Sequence, residues 1–328
     1  MRSTLGILML AFGAVVSTCA AASMRLYNTN SLGDDITVVD LGTLKPIQTI
    51  KVGAQVHGIC APAGGGTLFV TIESEHNLKT IDTRTGRILG AIPLTGRPNQ
   101  CAATPDGRYV GVPIRDGDSV DIVDMAAKKV VKTLPVKAPH NCYNSGRNDA
   151  LWVSSMGDHE IDRIDLKRME YTAHVPVGGI PRPYAVTKDE STLYTALTDL
   201  HGFAVVSLVA GTVTERVELP PAPPLNCPLE LNTPTHGLEL TPDGRHLWVT
   251  SLADGLVYVY DTVSRKATGH VAVGKCPNWI TFSPDGKYSG VSNSDTNDAS
   301  IIDTATLREV ARVKTGSGPK RLLVVNVP

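Results

Sequence analysis

Three turns of one kind, Pro105-Asp106-Gly107-Arg108, Pro242-Asp243-Gly244-Arg245 and Pro284-Asp285-Gly286-Lys287, constrain the fold of this chain more than any other feature. Proline fixes φ, aspartate bonds its own backbone, and glycine takes the positive φ of a tight hairpin. Each turn is followed by a run of strand character, at 109–112, 246–250 and 288–291, and degenerate copies occur at 67–71, 150–154 and 192–195. About a dozen residues later a short alternating segment ends on aspartate: Asp40, Asp82, Asp124, Asp165, Asp261 and Asp303. A turn and a further strand follow, then a glycine and the next unit.

Aligned on the residue that opens each first strand, the units begin at His57, Pro98, Pro139, Pro183, His236, Pro277 and Pro319, in steps of 41, 41, 44, 53, 41 and 42. Four short strands per step of about forty residues is the spacing of a β-propeller blade. Residues 26–52 supply three strands without a first one, and residues 321–325 supply a first strand alone. Six whole units and one shared between the ends predict an all-β, seven-bladed β-propeller of four-stranded antiparallel blades, closed by the C-terminal strand beside the N-terminal strands. Closure removes the sheet edges that would otherwise invite aggregation.

The first residues read as a targeting segment. A single early charge, Arg2, precedes an apolar run at 5–16, and Ala20-Ala21-Ala22 offers a cleavage site before Ser23. A signal peptide over 1–22 and one propeller domain over 23–328 are expected, in a secreted or periplasmic protein with no membrane span. The formal charge of −1 gives no basic excess for nucleic acid. A monomer is expected.

The units resemble the YVTN-type (YncE-like) propeller repeat: Gly-x-x-Pro, an apolar strand, Pro-Asp-Gly, then a strand of Leu-Tyr-Val-Thr-Asn character. Leu26-Tyr27-Asn28-Thr29-Asn30 and Leu247-Trp248-Val249-Thr250-Ser251 carry the motif. The resemblance implies the fold over the mature chain. It leaves function open, because the wider propeller group includes lactonases, lyases and proteins that hold quinone or haem.

Loops before the first strand and after the second share one face of a propeller, the near face, at the mouth of the central channel. The residue after each opening position reads Gly58, Asn99, His140, Tyr184, Gly237, Asn278 and Lys320. His57 and His236 stand where five units have proline. Imidazoles of His57, His140 and His236, completed by Glu239 or Glu73, would suit zinc or copper, and with Tyr184 they could serve acid–base chemistry. Arg115, Arg182, Tyr184, Lys320 and Arg321, with Asn99 and Asn278, form a cationic and polar set able to hold a carboxylate or phosphate. Glu239, in an otherwise apolar column, is expected to find a partner in His236 or a channel arginine.

Cys60, Cys101 and Cys142 fall in one column and read first as blade-to-blade packing, with a thiolate metal site or a bridge between neighbouring blades as the alternatives. Cys227, in a proline-rich insertion, and Cys276, in the next linker, are expected to form a disulfide. No phosphate loop, nucleophile elbow, zinc-protease helix or CxxCH haem attachment occurs. The leading functional expectation is a propeller that binds a small molecule or protein partner at its near face, with or without a histidine-ligated metal. The alternatives are a metal- or acid/base-dependent lyase, lactonase-like hydrolase or isomerase, and a periplasmic partner in electron transfer or cofactor assembly.

Overall fold

The computed structural model describes residues 23–227 and 232–328. The expected signal peptide lies outside the described residues. Seven four-stranded antiparallel sheets account for all the regular structure described, and no helix is long and apolar enough to cross a membrane. One blade is split between the chain ends, in the order β28 (Pro319–Val327), β1 (Ser23–Asn30), β2 (Asp35–Asp40) and β3 (Lys45–Lys51). The expected closure is met: Leu322 pairs with Asn28, Leu323 with Tyr27 and Val324 with Leu26.

The six whole blades open on β4 (Val56–Cys60), β8 (Ala102–Ala103), β12 (Pro139–Tyr143), β16 (Pro181–Val186), β20 (Thr235–Leu240) and β24 (Pro277–Phe282). Each of these innermost strands is irregular against its neighbour. A hydroxyl from the second strand fills the irregularity. Thr71 Oγ1 accepts the Gly58 N–H at 2.7 Å and donates to the Asn99 carbonyl of the next blade at 2.6 Å. Ser292 does the same between Trp279 N and Lys320 O, and Thr29 between Arg321 N and His57 O. Thr250 and Ser154 accept from Gly237 N and Asn141 N. These residues are the threonine of the repeated strand motif, so its recurrence is explained by backbone satisfaction in the ring. The position is Ala196 in the blade of β16 and Pro113 in the blade of β8, where the Asn99 side-chain oxygen accepts the Gln100 N–H instead.

The core is laid down between neighbouring sheets. Val56, Ile59, Leu68 and Val70 of the first whole blade, for example, pack with Tyr27, Ile36 and Val38 of the split blade. Gly58 is demanded here: a Cβ would sit 2.7 Å from the Asn99 carbonyl of the next blade. The Cys227–Cys276 disulfide is present as expected, with Cα atoms 5.8 Å apart. The cysteine column needs correction. Cys60 is bonded to Cys101 across two neighbouring blades, and among the described residues Cys142 remains a free, buried thiol.

Candidate functional site

Strand pairing resets the alignment of the blades. Val56 pairs with Ile72, Pro98 with Ile114, Pro139 with Ser155, Pro181 with Leu197, Thr235 with Ser251, Pro277 with Asn293 and Pro319 with Asn30. The repeated proline therefore corresponds to Val56 and Thr235 in the two exceptional units, not to His57 and His236. The next position round the ring is His57, Asn99, His140, Arg182, His236, Asn278 and Lys320, one polar or charged residue per blade. Seven of the residues singled out from sequence thus form a single circle at the near end of the innermost strands. Tyr184 belongs two residues further in, where it is buried against Tyr143 with ring centroids 4.6 Å apart.

The ring divides into two neighbourhoods. In one, the His140 and His236 rings meet edge to face, 6.0 Å between centroids. His236 Nδ1 donates to the Asn278 carbonyl at 2.7 Å, leaving Nε2 without a partner. His140 Nδ1 contacts the Asn141 side-chain oxygen. Arg182 donates to Thr198 Oγ1 at 2.8 Å and contacts the Asn232 side chain, so the insertion that carries Cys227 returns over this side of the ring. Asn99 spends its side-chain oxygen on the Gln100 N–H, 2.9 Å away, which is a backbone role.

In the other neighbourhood His57 Nδ1 faces the Glu73 carboxylate, and its Nε2 is also unpaired. Arg97 Nε donates to the same carboxylate at 2.6 Å, and Arg115 lies 3.6 Å from it. Burial alone would raise Glu73, but His57, Arg115 and Arg97 together pull it down to about 2. Burial holds all three imidazoles well below the usual histidine range, and Arg321 adds to the effect on each. A neutral ring that donates from Nδ1 presents a bare Nε2 lone pair, so His57 and His236 each offer one acceptor to the channel.

Arg321, one residue beyond the ring, is a costly group to bury. It is 0% exposed, and none of its guanidinium nitrogens has a hydrogen-bond partner. Its one evident support is the Trp279 face, 3.8 Å from the ring centroid. Such stacking is worth about 0.5–2 kcal/mol, less than the several kcal/mol that desolvating an ion costs. Burial pushes Arg321 down to about 9. Burial first, then Arg321 beside it, pushes Lys320 down to about 7. Four cationic side chains, Arg97, Arg115, Lys320 and Arg321, thus surround one carboxylate, Glu73. Tyr143 OH, Asn141 Nδ2 and both side-chain polar atoms of Asn278 are buried and unpaired as well. These orphaned groups match an anionic, hydrogen-bonding guest.

Below Tyr143 and Trp279, toward the Pro-Asp-Gly hairpins, the channel opens into a cavity of about 690 Å³ lined by Tyr143, Tyr184, Trp279, Ala185, Leu238 and Glu239 among others. That volume suits a small organic ligand. Glu239 belongs here and not with the histidines. Burial raises it to about 8, while the Phe282 backbone and the Thr281 hydroxyl draw it the other way. The expected partnership with His236 or an arginine is not formed. The metal set His57, His140, His236 and Glu239 is likewise not assembled: among the described residues, the group whose ligating atoms all come within 4.8 Å is Glu160, Asp162 and His174. Sequence reasoning missed Arg97, Asn141, Tyr143 and Trp279. A signal existed, because Gln100, Asn141 and Arg321 share a column with Gly58 and Trp279 and are polar in the innermost strand.

No family model matches the chain. A 111-residue stretch is 27% identical to protein NirF of Pseudomonas aeruginosa, covering 33% of this chain and 28% of NirF. The chain thus matches little more than a quarter of that relative's length. Among solved structures, a functionally unknown protein from Desulfotomaculum acetoxidans superposes with a TM-score of 0.77 at 12% identity, over 93% of this chain and 99% of the other. Hydrazine synthase of Kuenenia stuttgartiensis gives 0.69 at 22%, over 83% and 95%. Dihydro-haem d1 dehydrogenase NirN, in complex with DHE, gives 0.66 at 16%, over 88% and 63%. These likenesses establish the propeller fold.

Proposed function

We propose that this chain is an exported cofactor-handling propeller that receives a carboxylate-bearing tetrapyrrole of the haem d1 class in its central channel. The observation that carries the reading is the buried guanidinium of Arg321 with no hydrogen-bond partner. A carboxylate is the complement that a planar, five-donor fork is built to hold. The unpaired Nε2 atoms of His57 and His236 fit the same guest, either as proton acceptors or toward its metal. The aromatic walls of Tyr143, Tyr184 and Trp279 suit a flat conjugated ring. The names of NirF and NirN point to the same class, and two disulfides support an oxidising compartment.

When bound, such a group supplies redox or metal chemistry. The chain's own part is to neutralise the acidic substituents through Arg321 and Lys320. His57 is oriented through Glu73 and His236 through the Asn278 carbonyl. Trp279 holds Arg321 in the dry channel, where its field is strong.

The test uses haemin and metal-free protoporphyrin as probes, followed by absorbance and by quenching of tryptophan fluorescence. Both probes should bind, and Arg321→Gln should weaken both at least tenfold while leaving the melting temperature equal or higher, because an unpaired buried charge has been removed. His236→Ala should weaken haemin more than the metal-free ring. Absence of binding, or an Arg321→Gln variant that binds as tightly as the parent, refutes the proposal.

A further inference from the structure

A second site lies outside the channel, on the blade that runs from β12 through β14 (Glu160–Asp165) to β15 (Glu170–Pro176). We infer that Glu160, Asp162 and His174 form a binding site for one divalent transition-metal ion of the zinc type at the near-face rim of this blade.

The geometry is already close to that of a coordination sphere. One ligating atom from each residue lies within 4.8 Å of the others. His174 Nδ1 stands 2.8 Å from Asp162 Oδ1 and 3.4 Å from Glu160 Oε1. Zinc bonds to imidazole and carboxylate of about 2.0–2.2 Å set donor spacings of roughly 3–3.5 Å, so the three need little movement to share an ion. The residues come from paired strands: Asp162 is opposite His174 in the sheet, and Glu160 is on the same face two residues before Asp162.

The other blades show what this position needs when no ion is present. The equivalents of Asp162 are Thr37, Lys79, Asp121, Ala204, Tyr258 and Ser300. Asp121 is the fair comparison, a fully buried carboxylate at the same register. Its oxygens accept from Thr95 N–H at 2.9 Å, Thr95 Oγ1 at 2.9 Å and Thr133 Oγ1 at 2.7 Å. In the blade of Asp162, Val136 stands where Leu94 does, each donating its N–H across the blade, so the place of Thr95 is taken by Lys137, which has no hydroxyl and pairs with Asp158. The place of Thr133 is taken by His174. Glu160 then adds a second carboxylate where the blade of Asp121 has Ser119. Around a carboxylate that is 3% exposed, Thr133 and Ser119 have been exchanged for two metal-ligating groups, His174 and Glu160. An ion would bring positive charge to a buried carboxylate that His174 Nδ1 contacts at 2.8 Å, with a second carboxylate, Glu160, 3.4 Å from the same nitrogen. One imidazole and two carboxylates suit zinc, and the fourth position stays open to solvent, since the His174 side chain is 55% exposed.

The experiment titrates the purified full chain with zinc sulfate by calorimetry, with a cobalt(II) visible spectrum as a second readout. One equivalent should bind to the parent, and Asp162→Asn or His174→Ala should weaken it at least tenfold. Asp121→Asn, and separately His57→Ala, should leave it intact. His174 is a surface residue, so its variant tests the site without threatening the fold. No zinc binding by the parent, binding that survives both Asp162→Asn and His174→Ala, or binding lost with His57→Ala instead, overturns the inference. The channel proposal stands or falls separately on the porphyrin probes.

Discussion

Glu239 offers a direct test of the channel electrostatics. Its carboxyl is held at about 8 in the folded chain against an ordinary 4.5, chiefly by burial. The folded state therefore keeps a proton that the unfolded chain loses above pH 4.5, and stability must fall as pH rises from about 4.5 to about 8. At about 1.4 kcal/mol for each pH unit between the two values, the loss has a ceiling of about 5 kcal/mol, lowered by the partial access that the cavity gives this side chain. Glutamine keeps the shape and hydrogen bonding of the neutral acid and has no proton to lose. Glu239→Gln should match the parent at pH 4.5 and exceed it progressively toward pH 8.5, by roughly 2–5 kcal/mol. Denaturant unfolding of both proteins at intervals across that window measures the gap. Two stability curves that run parallel from pH 4.5 to 8.5 would show that Glu239 titrates normally and that the cavity is wetter than its lining implies.

Thr71→Val removes the acceptor for Gly58 N–H and the donor to the Asn99 carbonyl, both buried, and should cost roughly 2–4 kcal/mol in denaturant unfolding, with Thr71→Ser restoring most of it. Cys142 is buried and burial pushes its thiol well up, so in protein that begins at Ser23 alkylating reagents should leave it unmodified in the native state and label one thiol per chain only after unfolding without reductant. Deleting residues 319–328 removes β28 and exposes the edge of β1, and near-ultraviolet dichroism should show loss of the cooperative transition; a truncated chain that melts as sharply as the parent refutes ring closure as the source of that cooperativity.

Much of this was legible in the sequence, and the errors have definite physical origins. Turn chemistry at Pro-Asp-Gly and the alternating strands gave seven blades, and complementary ends gave the split blade, because those signals are local. The residues of the circle were singled out, but the register was off by one at His57 and His236 and by two at Pro183, where Pro181 opens the strand. Pro98, Pro139, Pro277 and Pro319 open their strands, so histidine looked like the exception in that column. The strands show that Val56 and Thr235 are the exceptions, a distinction set by cross-strand pairing that no single strand encodes. The same shift hid the Cys60–Cys101 bond: the two cysteines are not in one column but offset by one, and that offset lets neighbouring blades present them to each other. Arg321 was identified as a cation for an anion, yet its solitude is a property of burial and could not be read from composition.

The division of labour within each blade explains why function is concentrated in so few positions. The second-strand hydroxyls at Thr29, Thr71, Ser154, Thr250 and Ser292 satisfy the irregular backbone of the innermost strands. Apart from Asn99, whose oxygen accepts the Gln100 N–H, the side chains of those strands are thereby released from duty in the ladder. One such column became His57, Asn99, His140, Arg182, His236, Asn278 and Lys320, and the next accepted Arg321. Neither column is what a self-sufficient core would choose. A buried guanidinium without a partner lowers stability, and apolar replacement of buried charge is often neutral or favourable. A chain that already holds its ring together by hydroxyls, sheet pairing and two disulfides has no structural need for that charge. The cost falls on one strand, the C-terminal strand that also closes the ring. Occupancy of the channel by an anion would therefore be felt at the closure itself, and a ligand that pairs with Arg321 should slow exchange of the β28 amides more than those of any outer strand.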